Sequence, residues 1–201
     1  AIKNYKPSSN SVGSGQVLQC PYSYEKAGLI VREMTELLVL DLVDKGLVTN
    51  QIVLTVGYDI ENLKQSEFQK NYRGEIKTDR YGRKIPKHAH GTMNLEEHTS
   101  STRKIVDATV ELYQRIVDTK LLVCEIAETD SYEQMDLFTD YQAKEEQNQR
   151  EKEERERERS MQQAVLELKK KFGKNAVLKG MNLQEGATTI ERNRQIGGHK
   201  A

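Results

Sequence analysis

An α+β fold is predicted for this 201-residue chain: β-α-β-β-α-β, a four-stranded antiparallel sheet with two helices on one face, followed by a charged helical tail. Three observations predict it. Gln51 to Tyr58 alternates, with Ile52, Leu54, Val56 and Tyr58 on one side and Gln51, Thr55 and Gly57 on the other. Tyr24 to Lys45 carries Ala27, Ile30, Val31, Met34, Leu37, Leu38 and Leu42 at the spacing of one buried helical stripe. After Phe138 the apolar periodicity gives way to dense charge.

Ala1 to Asn10, with Pro7 and a serine pair, reads as a linker. Ser11 to Gln19 reads as the first strand, ended by Pro21, and its Gly13 and Gly15 suggest a bulge or close approach by a ligand. Gly46 closes the first helix as a C-terminal cap. His88 to Leu95 is the third strand, with Ala89, Gly91, Met93 and Leu95 on one parity and His88, His90, Thr92 and Asn94 on the other. Ser100 or Ser101 caps a second helix running to about Asp118 with the stripe Ile105, Ala108, Thr109, Leu112 and Ile116. Leu122, Cys124 and Ile126 give the fourth strand its inward parity.

The insert 59–87 is too long for a bare hairpin loop, and Asp79-Arg80-Tyr81-Gly82 reads as the turn of a small hairpin of its own. Within 70–87, Lys70, Arg73, Lys77, Arg80, Arg83, Lys84 and Lys87 are opposed only by Glu75 and Asp79, with Tyr72 and Tyr81 interleaved, which makes a local basic patch. In the tail, Lys144 to Arg159 reads as one exposed or frayed helix with Glu-Arg pairs four apart. Val165, Leu168 and Phe172 form an apolar stripe that docks weakly, Thr188 with Glu191 resembles a capping box, and Gly197-Gly198 is a flexible end.

Composition narrows the function. The chain is 36% hydrophobic and 31% charged, lean for a fully packed globule, and 31 Lys plus Arg balance 31 Asp plus Glu, so no global basic field announces nucleic acid. Cys20 and Cys124 read as reduced, buried thiols of a cytosolic protein, and with no secretory or membrane-spanning segment the expectation is a soluble, intracellular chain. Gly13-Ser14-Gly15 lacks the lysine and spacing of a phosphate loop. His88, His90, His98 and Cys124 lack the paired-cysteine spacing of a zinc site, so the histidines read as polar groups of an exposed sheet face. No nucleophile with its base is found, so no catalytic residue and no metal ligand is assigned. A binding surface is the better reading: Ser11, Ser14, Gln16, His88, His90, Thr92 and main-chain amides near Gly13 and Gly91 suit phosphate oxygens without reading bases. An RNA-recognition sheet would need exposed aromatics that this face lacks.

Gln134-Met135-Asp136-Leu137-Phe138 stands between module and tail. It is too short to fold alone and too apolar at Leu137 and Phe138 to stay solvated, so it reads either as a docking peptide or as a turn folded back on its own domain. Its pattern resembles the peptide by which bacterial polymerases and repair proteins attach to the sliding clamp.

Ser14-Gly15-Gln16-Val17-Leu18, Val31-Arg32-Glu33-Met34-Thr35, Lys87-His88-Ala89-His90-Gly91-Thr92, Thr99-Ser100-Ser101-Thr102-Arg103 and Ile196-Gly197-Gly198-His199-Lys200-Ala201 together resemble the C-terminal part of Y-family, UmuC-like translesion DNA polymerases of Gram-positive bacteria. The resemblance implies a linker at 1–10, a little-finger DNA-binding domain at 11–130 with its basic insert at 59–87, a clamp-binding segment at 131–143, and a charged helical, partly disordered tail at 144–201. It implies DNA contacts by Ser11, Gly13, Ser14, Gln16, Arg80, Arg83, Lys84, Lys87, His88, His90, Thr92 and Arg103, and clamp contacts by Gln134, Met135, Asp136, Leu137 and Phe138. Relatives often carry arginines on the DNA-facing strands where this chain does not. The implied partners are damaged or primer-template DNA and the bacterial β sliding clamp, in the cytoplasm and nucleoid, within an SOS-type damage response, with no membrane or small-molecule partner. The palm and fingers domains that hold catalytic carboxylates would precede this module, so this chain itself is expected to be non-enzymatic and cofactor-free, with Mg2+ needed only by the full polymerase. The alternative readings are a protein-interaction adaptor that does not bind DNA and, behind it, a hydrolase using the histidines.

Overall fold

A computed structural model describes residues 11–64, 72, 74–134, 149–196 and 199–200. In chain order these form β1 (Ser11–Tyr22), α1 (Tyr24–Lys45), β2 (Leu47–Tyr58), a 3-10 turn (Ile60–Leu63), a hairpin of β3 (Ile76–Thr78) and β4 (Lys84–Pro86), β5 (Ala89–Thr99), α2 (Thr102–Ile116) and β6 (Val123–Gln134). The tail adds α3 (Gln149–Phe172), a 3-10 turn (Gly180–Leu183), α4 (Thr189–Arg192) and a short pair, β7 (Gln195–Ile196) with β8 (His199–Lys200). The main sheet is four-stranded and antiparallel, as the periodicities predict, and its strands lie in the order β1-β6-β2-β5.

Local chemistry sets the helix ends. Ser23 accepts a bond from the Lys26 amide at the start of α1, and Gly46, at φ 67°, closes it by donating to the carbonyls of Leu42 and Val43. Ser101, the second of the two serines considered, caps α2 through the Lys104 amide. Between these helices and the sheet lies one core, built from Ile52, Leu54, Val56 and Ile126 beneath Ile30, Met34, Leu42, Ile105 and Leu112. Each of these side chains is fully buried, worth about 1.5–3 kcal/mol apiece against exposure.

Two strand expectations change. β1 passes through Pro21: its pairing jumps from Val17 opposite Glu125 to Tyr22 opposite Val123, and proline is tolerated in that irregular stretch of an edge strand. In β6 the register shifts where β2 passes from Gly57 to Tyr58, so Val123 joins Ile126 in the core while Leu122 and Cys124 are only half-buried. Cys20 is exposed rather than buried, and burial of Cys124 pushes its thiol up to about 11. A thiol held protonated at neutral pH is a poor nucleophile.

The tail folds back on the helical side through polar contacts. Gln162 is buried and donates to Ser100 O and Thr102 Oγ1, while Glu158 accepts from Ser101 Oγ and the Arg103 amide. Of the stripe expected to dock weakly, Val165 is half-buried, whereas Leu168 and Phe172 are 44% and 63% exposed, as is Met161 one turn earlier at 63%. Farther on, Glu33 of α1, itself buried, accepts from Asn182 Nδ2 (2.7 Å) and from the amides of Thr188 (2.7 Å) and Thr189 (3.2 Å). A carboxylate from α1 thus caps α4, in place of the expected Thr188–Glu191 box. Glu191 instead accepts from Gln19. Lys26–Glu185 and Lys179–Glu36 pair across the same seam.

Two acids lie in the core. Glu128 and Asp130 follow Ile126 on the inward parity of β6. Both oxygens of Glu128 lie 3.0 Å from Thr35 Oγ1, which also sits 2.8 Å from Val31 O. A hydroxyl that gives its one hydrogen to Val31 can only accept from Glu128, which favours the neutral carboxyl. Burial, with Asp130 nearby, pushes Glu128 up to about 8, and burial pushes Asp130, which has no hydrogen-bond partner among the described residues, up to about 7. In the unfolded chain both ionise near pH 4. Between there and about 8 the native state therefore binds more protons, and stability falls as pH rises through that window. Glu128→Gln with Asp130→Asn is expected to flatten this dependence and to raise stability above pH 8 by on the order of a few kcal/mol, read from urea melts across pH. A pH profile identical to that of the unaltered chain would show that neither acid is held neutral.

Candidate nucleic-acid interface

Alternation along the strands decides what the uncovered sheet face presents. Odd residues of β1, β2 and β6 and even residues of β5 share it: Ser11, Gly13, Gly15 and Val17, then Glu125, Ala127, Thr129 and Ser131, then Gln51, Val53 and Thr55, then His90, Thr92 and Asn94. Neighbouring groups bond across strands, Ser131 Oγ to Gln51 Oε1 and Gln51 Nε2 to Asn94 Oδ1, both at 3.0 Å, and Thr55 Oγ1 lies 2.8 Å from His90 Nδ1. The result is a surface of hydroxyl, amide and imidazole groups without an aromatic among the described residues. No helix of the described residues packs on it, and Val17 is 75% exposed there.

The predicted residues divide. Ser11, Gly13, His90 and Thr92 lie on this face, and His88 stands at its rim beside Gly57. Ser14 and Gln16 do not: they point to the helical side, where Arg192 donates to Ser14 Oγ and Thr188 Oγ1 donates to Gln16 Oε1. Residues three apart on a strand cannot share a face, so Ser11 and Ser14 were separable from their numbers alone. Gly91 also faces inward. A Cβ there would lie 2.8 Å from Ile116 and 3.0 Å from Leu112, so this glycine lets α2 approach the sheet rather than a ligand. Arg103 starts α2 at the Thr99 end of β5, and its guanidinium pairs with Glu154 of α3 at 3.7 Å. The run of β5 puts it roughly 30 Å from the hairpin.

The remaining cations belong to the β3–β4 hairpin, at the sheet end where β5 begins. Asp79 organises the turn, its Oδ1 accepting from the amides of Tyr81 (2.8 Å) and Arg83 (2.9 Å) and its Oδ2 from Arg83 Nε (2.7 Å). Gly82, at φ 77°, completes it. Lys87 pairs with Glu75 at 2.6 Å, and that hydrogen bond holds the Glu75 carboxyl below its ordinary range. Arg80 and Lys84 form no ion pair among the described residues, so the hairpin carries net positive charge beside a face whose acidic side chains, among those described, are Glu125 and Glu96. A cation missed by sequence reasoning is Arg115, which reaches from the last turn of α2 to Thr92 O at 3.0 Å along the β5 edge. Among the described residues no cluster of three or more His, Cys, Asp or Glu could hold a metal ion, and no helix is long and apolar enough to cross a membrane. Gln134 ends β6, paired through its backbone with Leu47, whereas Met135, Asp136, Leu137 and Phe138 lie outside the described residues.

No protein-family model matches the chain, and no characterised protein matches it in sequence. Among solved structures it is similar to a chain from the complex of beta-clamp processivity factor and little finger domain of PolIV, with a TM-score of 0.38 and 7% identity over 61% of this chain and 87% of that one. It is also similar to Dbh DNA polymerase in an insertion ternary complex, with a TM-score of 0.37 and 10% identity over 67% of this chain. The chain matches only 33% of the length of that polymerase.

Asp79→Ala removes the side-chain acceptor of two backbone amides at once, and the amides of Tyr81 and Arg83 are expected to exchange about tenfold faster while the melting temperature of the main sheet stays in place. Unchanged exchange would show that the turn is held by something other than this carboxylate.

Proposed function

We propose that this chain is the DNA-backbone-binding and clamp-docking region of an error-prone translesion DNA polymerase, acting in damage bypass without transferring nucleotides itself. The observation that carries the reading is the pairing of an uncovered, aromatic-free polar sheet face with a net-positive hairpin at its end. Hydroxyl, imidazole and main-chain donors suit phosphate and sugar oxygens, and the absence of base-reading side chains suits a grip that must accept any sequence. With so few cations the grip is modest and salt-sensitive, which fits a module tethered to a partner already on DNA. The clamp is the proposed tether: in sequence Met135 to Phe138 directly follow Gln134, the last residue of β6, and Leu137 and Phe138 would fill an apolar pocket on the ring. The exposed stripe Met161, Leu168 and Phe172 favours the second reading, a protein-interaction adaptor without DNA.

Salt-dependent binding to a primer-template duplex separates the two. Replacing Arg80, Arg83 and Lys84 by glutamine is expected to weaken binding and to flatten the plot of log affinity against log salt by about 0.9 for each phosphate that is no longer neutralised. An unaltered slope would remove the hairpin from the DNA surface. Leu137→Ala with Phe138→Ala is expected to abolish binding to a bacterial sliding clamp while the circular-dichroism spectrum and melting temperature stay unchanged. Clamp affinity that survives the double substitution would refute the docking role.

A further inference from the structure

The hairpin tip carries more than charge. Tyr81 is 67% exposed, an unusual position for a tyrosine in a tight turn, and it is held there. Its amide is bound by Asp79, and two guanidiniums lie against its ring, Arg80 at 4.9 Å and Arg83 at 5.1 Å from the centroid. The two arginines are not equivalent. Arg83 is tied to Asp79 by its ion pair, so it supports the ring from a fixed position. Arg80 has no ion pair among the described residues and can leave the ring to another flat group.

We propose that Tyr81 is a stacking platform for an unpaired nucleobase of single-stranded DNA, with Arg80 and Lys84 taking the phosphates on either side. Every base offers a π-face, so such a platform is sequence-tolerant, and stacking of a base on an exposed aromatic outweighs the exposed cation-π contact it displaces. Asp79 and Gly82 set the turn before any ligand arrives, so little ordering cost falls on binding. The sheet face, without aromatics, fits paired DNA, whereas the hairpin fits a strand whose bases are open. The two surfaces divide one junction between them, the duplex along the sheet and the unpaired strand at the tip. The inference rests on the nucleic-acid reading above for its ligand class, but on the geometry of Tyr81 alone for its site.

The test uses the whole chain with two probes, a blunt duplex and the same duplex carrying a short single-stranded overhang that contains 2-aminopurine, whose fluorescence falls on stacking. The chain as it stands and Tyr81→Phe are expected to quench the overhang and to bind the tailed probe more tightly than the blunt one. Tyr81→Leu keeps apolar bulk but loses the π-face, and it is expected to lose about tenfold on the tailed probe with no change on the blunt duplex. Amide exchange at Arg83 reports that the turn is intact in each variant. Quenching that persists with weak blunt-duplex binding would sink the sheet-face reading and leave the platform standing. Absence of quenching by the unsubstituted chain overturns the platform whatever the duplex affinity, and so does an equal loss by Tyr81→Leu on both probes.

Discussion

Two-residue alternation, imposed on long strands that have helices on one side only, is the constraint from which the other features follow. Once Ile52, Leu54 and Val56 turn under α1 and α2, pairing fixes the parity of β6 and β5, and through β6 that of β1. Every side chain in the sheet is then committed to core or surface. The same step that sends Thr129 and Ser131 outward sends Glu128 and Asp130 inward, so the fold accepts two buried carboxyls as a consequence of its register. They persist by staying neutral, at a cost that grows with pH.

The one-sided layering also decides where the tail can go. The helical side offers grooves and a row of polar anchors, and the tail takes them: Glu33 caps α4, Arg192 reaches Ser14, and Gln162 bonds the backbone just before α2. Burial lowers the readiness of the Arg192 guanidinium to hold its proton, while Glu33 and Glu128 act the other way. The opposite side of the sheet receives none of this. An exposed face with evenly spaced small polar groups remains, next to a hairpin whose charge is not fully paired.

That division suits the proposed grip that ignores sequence. Affinity for phosphate comes from cations and oriented donors, whereas base reading needs side chains that enter a groove, and this face has short ones. Gly13 leaves room for Thr129 on the paired strand, since a Cβ there would come 3.2 Å from Thr129 Oγ1. The hairpin differs in kind, combining an aromatic with two arginines over its ring on a turn held by Asp79.

Much of this was legible in the residues themselves. α1, β2, α2, the turn at Asp79 to Gly82 and the parity of β5 are local matters, set by caps, turn chemistry and apolar spacing within a few residues. The orientation of β1 was not, because Ser11 to Gln16 offers little apolar contrast and only its pairing with β6 assigns Ser14 and Gln16 to the helical side. The bulges at the Val123 end of β6, the diversion of Arg103 to Glu154, and the burial of Glu33, Glu128 and Asp130 also arise between residues far apart in the chain. Periodicity reports which side of an element is apolar; which polar residues are caught beneath a neighbour depends on register and docking, and those exist only once the elements have met.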